Sequence, residues 1–97
     1  MYAIEFTPEA DQDLSYFRKW EQKQITDAIE AQLEHQPTVE TRNRKQLRPN
    51  PAAGWELRVG DFRSLYNVDE PSRVVEIVAI GVKVGDLLFV RGVRVEL

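Results

Sequence analysis

The stretch WELRVGDFRSLY, Trp55 to Tyr66, carries two arginines whose spacing matters more than their number. Trp55, Leu57 and Val59 alternate with Glu56 and Arg58, and Gly60-Asp61 suits a two-residue type II′ turn. In that register Arg58 falls opposite Arg63 on one face of a hairpin. Like charges directly across a strand pair are destabilising. The arrangement therefore calls for an anion. A guanidinium is planar, always charged and able to grip a phosphate with two parallel hydrogen bonds, so the pair reads as a phosphate clamp. The competing reading is an internal partner: Glu56 or Glu76 for Arg63, and a carboxylate on a neighbouring strand for Arg58. Lys83 follows the most apolar strand of the chain, where a lysine in a turn is ordinarily solvated. Arg44, Lys45 and Arg48, with Arg42, form a basic loop that would track a polyanion backbone or remain hydrated.

Other chemistries are poorly served. There is no cysteine, which removes thiolate nucleophiles, disulfides and cysteine zinc sites. The one histidine, His35, lies at the end of a predicted helix, far from the hairpin, which argues against histidine acid–base work there. No carboxylate cluster falls on the arginine face, so neither a metal nor any other cofactor is expected. The net charge of -3 alone speaks against a nucleic-acid binder, but its distribution is uneven. Residues 1–40 hold three basic against nine acidic side chains, whereas residues 42–63 hold six basic against two acidic. Such asymmetry can steer an anion to one face of an acidic molecule.

These side chains need a scaffold, and 97 residues supply one domain, 1–97, with a single core. MYAIEF alternates as a strand. Thr7 then offers an N-cap, Pro8 suits the first helical position, and Glu9, Asp11 and Asp13 complement the helix dipole. Ala10, Leu14 and Phe17 mark the buried stripe. A second helix is expected over about residues 22–36, with Ile25, Ala28, Ile29 and Leu33 inward and Pro37 as its stop. Residues 37–53 read as a polar loop with one turn of helix. Strands follow at Trp55–Val59, Phe62–Val68 and Val74–Ile80, the last apolar enough to be covered on both faces. The chain is expected to bend at Gly81 and Gly85, before LLFV and VRVEL close the sheet. Trp20 and Trp55 read as packing residues, as does Tyr66. The expected class is α+β: an N-terminal strand and a two-helix hairpin packed on one face of an antiparallel sheet, whose other face stays open for the arginines. The absence of a long apolar run and of a secretory signal pattern gives a soluble, cytoplasmic protein with no membrane contact as the expectation.

The ordered combination of these segments resembles the RelE/ParE superfamily of toxins from bacterial type II toxin–antitoxin systems. Phe6–Ala10 (FTPEA) is similar to the family's strand-to-helix entry. LRPNPAAGWELRVGDFRSLY is similar to its loop and Leu-Arg-Val-Gly-Asp-Tyr-Arg hairpin, with Phe62 at the usual aromatic. VVEIVAIGVK is similar to its central strand leading to a Gly-(His)-Arg/Lys segment. The resemblance implies a RelE-like fold, a cognate antitoxin partner, and one of three roles. The leading expectation is the first, a metal-independent endoribonuclease (an mRNA interferase) that cuts mRNA on the ribosome and so inhibits translation, with Arg63, Arg58 and Lys83 as catalytic residues. The second is a ParE-type toxin that poisons DNA gyrase without cutting RNA. The third is an inactive partner or corepressor for its antitoxin. For the first role, Lys45, Arg48, Arg44 and Phe89 would contact RNA. Phe89 stands where many ribonuclease members carry a tyrosine; it can stack on a base but moves no proton. Tyr66 is the nearest alternative hydroxyl in sequence.

Overall fold

The computed structural model describes the whole chain, Met1–Leu97. Strand β1 (Ala3–Phe6) leads into helix α1 (Pro8–Ser15), and helix α2 (Lys19–Leu33) follows. Thr7 caps α1 as its residue type predicts, its Oγ1 accepting the Ala10 N–H at 3.1 Å. Helix α2 begins and ends three residues earlier than its apolar stripe predicts. At its start the Glu21 carboxylate reaches back to accept the Arg18 N–H at 2.9 Å. At its end Tyr2 N–H takes the Glu34 carbonyl at 2.7 Å, tying the chain to the root of β1.

The rest is sheet: β2 (Arg44–Gln46), β3 (Trp55–Val59), β4 (Phe62–Asp69), β5 (Val74–Val84), β6 (Leu87–Val90) and β7 (Val93–Val95). They lie side by side in that order, each antiparallel to the next. Strand β1 joins the same sheet as a parallel neighbour of the first half of β5, Ala3 opposite Val74 through Phe6 opposite Ile77. The second half of β5 pairs with β6. Strand β2 corrects the expectation of a loop with a helical turn: Lys45 and its neighbours pair with Trp55–Leu57 because the edge of β3 would otherwise be left unpaired.

Both helices cover one face. Ile25, Ile29, Leu33 and Ala10 pack on Leu57, Tyr66, Val75, Ile77 and Ile80, all buried. The other face is not bare. Ala53, Leu65 and Leu88 form a second, smaller cluster there, with Leu47, Val78, Ala79 and Val95 around it. The loop before β3 and the last strand supply this cover. Apolar residues on both faces of β5 account for its continuous run of apolar types. A bulge between Leu65 and Tyr66 shifts the β4–β5 register and places Val78 and Ala79 together on that second face.

Strand β5 does not bend at Gly81; it runs on to Val84 and turns at Gly85-Asp86. Gly81 is needed for another reason. A Cβ there would lie 2.4 Å from the Phe89 carbonyl oxygen, so only glycine lets β6 approach this closely. Trp55 packs as expected, stacked on Tyr66 at 6.2 Å. Trp20 does not: it stands 62% exposed near the start of α2, on the side of the helix away from the core. No helix is long and apolar enough to cross a membrane.

Candidate functional site: a buried glutamate among four cations

The hairpin forms in the predicted register. Arg58 pairs across from Arg63, and Val59 from Phe62. Gly60 takes a φ of 57°, which a type II′ turn requires at its first position. Residues on a strand alternate between faces, so Glu56, Arg58 and Arg63 all project away from the helices. Glu56 is the centre of the arrangement. Its Oε1 lies 3.4 Å from Arg63 Nε and its Oε2 3.7 Å from Arg58 Nε. The Glu56 side chain is 8% exposed, that of Arg63 12% and that of Arg58 41%. Arg63 is further engaged by its own turn: its Nη1 donates to the carbonyls of Gly60 at 2.7 Å and Phe62 at 2.9 Å. Its Nε sits at ion-pair distance from Glu56 without a hydrogen-bond alignment.

Two more cations border the same carboxylate. Lys45 on β2 is directly across from Glu56. Lys83, two residues past Gly81 on β5, lines a cleft of about 400 Å³ with Glu56, Asp86, Leu88, Arg94 and Glu96. Its own N–H is anchored on the Asp61 carbonyl at 2.8 Å, which fixes the strand end beside the hairpin turn. Arg94 is paired with Glu96 at 3.3 Å. The face thus gathers four cations near a buried carboxylate that touches two of them, with Asp86 and Glu96 beside Lys83 in the cleft. The predicted residues Arg58, Arg63, Lys83 and Lys45 are brought together; Glu56, foreseen only as one possible partner, joins them as the hub.

Three predicted residues lie elsewhere. Arg44 is buried rather than presented to a ligand. Its Nε donates to the Val39 carbonyl at 2.9 Å, and its Nη1 donates to the Gln32 carbonyl at 2.9 Å and Gln32 Oε1 at 2.8 Å. It clamps the end of α2 to the sheet edge. Arg48 is exposed but lines a separate hollow of about 700 Å³, walled by residues 46–55. Phe89 pairs with Val82, which places it on the opposite face of β6 from Leu88 and from the arginines. The fallback hydroxyl is also unavailable. Tyr66 is fully buried, its hydroxyl donates to the Pro37 carbonyl at 2.6 Å, and burial pushes its pKa well above the ordinary tyrosine value. His35 lies exposed just beyond α2. No three His, Asp or Glu side chains converge closely enough to hold a metal ion.

One further polar residue escaped the sequence reading. Asp13, expected to complement the helix dipole, is 2% exposed. Its Oδ2 accepts the Ile80 N–H at 3.1 Å, and its Oδ1 lies 2.8 Å from Arg91 Nε. It fills the gap on the edge of β5 between the end of β1 and the start of β6. The available signal was its spacing: three residues after Ala10, it falls on the apolar stripe.

Comparisons with known proteins agree with this architecture. The family described as "ParE toxin of type II toxin-antitoxin system, parDE" matches residues 4–83. Curated protein sequences gave no match. Among solved structures, the RelBE2 toxin–antitoxin complex of Mycobacterium tuberculosis is similar at 26% identity and a TM-score of 0.73, over 84% of this chain and 98% of that one. The intact RelBE complex of E. coli is similar at 23% identity and a TM-score of 0.67, over 87% and 99%. The YoeB–YefM complex of Staphylococcus aureus follows at 22% and 0.63, over 82% and 94%. The last two likenesses speak for the fold alone. The family match spans most of the chain, including β1, both helices and the hairpin, and on that ground the chain belongs to the ParE toxin family of type II toxin–antitoxin systems.

Proposed function

We propose that this toxin acts by binding a protein target, in the manner of a ParE-type gyrase poison, and that a cognate antitoxin holds it inactive. The observation that carries this reading is the Glu56 carboxylate at 3.4 Å from Arg63 and 3.7 Å from Arg58. A phosphate clamp needs both guanidiniums free to close on one anion. Here a carboxylate already occupies the space between them. Arg63 also spends Nη1 on two backbone carbonyls, and its Nε lies beside Glu56, so a ligand would have to take the place of that carboxylate. In-line cleavage by a 2′-hydroxyl further needs a group to accept or deliver a proton. Phe89 cannot serve, and the Tyr66 hydroxyl is committed to Pro37. The antitoxin is supported by the similar structures, which are toxin–antitoxin complexes.

A second reading is ribosome-dependent mRNA cleavage. Lys83 favours it, a cation on the arginine face with no acidic partner within ion-pair distance, as does the 26% likeness to the RelBE2 complex. One experiment separates the two. After induction without antitoxin, growth arrest should come with DNA breaks and filamentation while mRNA stays intact, and the purified chain should inhibit supercoiling by gyrase. Early new 5′ ends inside open reading frames, with undamaged DNA, would replace the binding reading with the nuclease one. Unimpaired growth despite folded protein would remove both.

A further inference from the structure

We infer that Glu56 is the specificity determinant of the basic face: it withholds the arginine pair from nucleic-acid phosphates, and its removal converts the same surface into a single-stranded RNA binder. The inference rests on the reading above, in which this face does not cleave RNA. The geometry supplies the argument. Arg58 and Arg63 are directly opposite on the hairpin, Lys45 is directly across from Glu56 on the next strand, and Lys83 lines the same cleft. Four cations on one sheet face make a phosphate-binding surface by composition alone. Glu56 is the buried carboxylate in contact with both arginines, while Asp86 and Glu96 line the cleft beside Lys83.

The two arginines differ in what they would do. The Arg58 side chain is 41% exposed, and Glu56 at 3.7 Å is its one acidic partner. Arg63 is nearly buried and held by its turn carbonyls, so its guanidinium is already positioned and only its counterion would change. An incoming phosphate would have to displace Glu56 or lie beside it, where carboxylate and phosphate repel. Neutralising Glu56 leaves the arginines in place, keeps a side-chain oxygen of similar shape beside them, and lets two more phosphates be engaged. This is discrimination by a built-in repulsive element rather than by lack of attraction.

The test is binding of a fluorescently labelled single-stranded RNA to the purified full chain, followed by anisotropy over a range of salt concentrations. The variants are Glu56→Gln, Glu56→Met and Glu56→Gln combined with Arg58→Ala and Arg63→Ala, each checked for its fold by circular dichroism. The native chain should bind weakly. Glu56→Gln should bind about tenfold tighter or more, and its salt dependence should steepen by about 1.4 in log–log slope for two added phosphate contacts. The triple variant should return to weak binding. If Glu56→Gln does not fold, Glu56→Met, an uncharged side chain of similar length, should still tighten binding. Folded Glu56→Gln or Glu56→Met with unchanged affinity and slope would overturn the role of Glu56 and leave the protein-binding reading standing. Tight, Arg63-dependent RNA binding by the native chain would overturn the inference and that reading together.

Discussion

Arg63 illustrates how a residue can match a functional motif and still be committed to the fold. Its side chain contacts Glu56 and two turn carbonyls while only 12% exposed. Removing it would leave the Glu56 carboxylate buried with one partially solvated partner. Breaking a buried pair in this way is strongly destabilising, because the surviving charge keeps its desolvation cost. Arg63→Ala is therefore expected to lose about 3 kcal/mol, a fall in Tm of roughly 10 °C or more for a domain this size. Arg58→Ala removes an exposed, longer pair and should cost no more than about 0.5–1 kcal/mol. Under the protein-binding reading, Arg63→Ala stays toxic at temperatures where it remains folded. Thermal melts and growth assays on both variants check this. An Arg63→Ala protein as stable as the parent but harmless would show that the arginine works on the target instead.

At the scale of elements, the join between β1, β5 and β6 is the most demanding feature. Strand β1 covers the edge of β5 up to Ile77, and β6 takes over at Val82. Between them the Ile80 N–H would be orphaned without the Asp13 carboxylate. The same carboxylate holds Arg91, whose turn with Gly92 has positive φ at both positions, 50° and 76°, as a type I′ hairpin needs. Asp13 thus ties α1 to the sheet and to the β6–β7 turn at once. Asp13→Ala is expected to destabilise by about 3 kcal/mol, since it removes an acceptor from a buried N–H and a partner from a cation. Asp13→Asn should lose less, because its amide oxygen can still accept from Ile80. Amide hydrogen exchange at Ile80 provides the local readout: fast exchange in Asp13→Ala and slow exchange in Asp13→Asn. Equal exchange rates in both variants would show that the carboxylate is not what protects that edge.

For the molecule as a whole, the two apolar clusters share β4 and β5, so they should fail together. Ile29→Ala in the helix-side core and Leu65→Ala in the smaller one should each cost about 2–4 kcal/mol and lower one common transition. Two separate transitions by near- and far-ultraviolet circular dichroism would contradict this. Alkaline pH probes the larger core through Tyr66, whose pKa burial raises above its ordinary value of 10.0. Below that value Tyr66 is protonated in both folded and unfolded chains, and its contribution is constant. Above it the unfolded chain releases the proton while the folded chain keeps it, so stability falls as pH rises, by at most about 1.4 kcal/mol per pH unit from this group. Tyr66→Phe should start about 1 kcal/mol less stable, having lost the bond to Pro37, and should show a shallower decline above pH 10.0 in denaturant titrations. An unchanged slope would mean that other groups govern alkaline unfolding.

The sequence by itself determined what local chemistry and short-range periodicity determine. Thr7-Pro8 started α1, Gly60-Asp61 set the hairpin, and alternation placed Arg58 across from Arg63. These follow from backbone preferences and from the period of two, which act over a few residues. The order of segments also carried the family resemblance. What the tertiary structure decided were relations between distant residues. Whether Arg63 faces solvent or a carboxylate depends on how deeply β2 and the last strands bury Glu56, and no local pattern encodes that depth. Arg44 reads as one more loop cation until Gln32 and Val39 are brought to it. Phe89 reads as a site residue until its pairing with Val82 fixes the face it occupies, since a shift of one residue in register would reverse it. Asp13 reads as a helix-dipole residue until the gap between β1 and β6 leaves the Ile80 N–H in need of an acceptor, a need created by two strands more than 80 residues apart in sequence meeting on one edge.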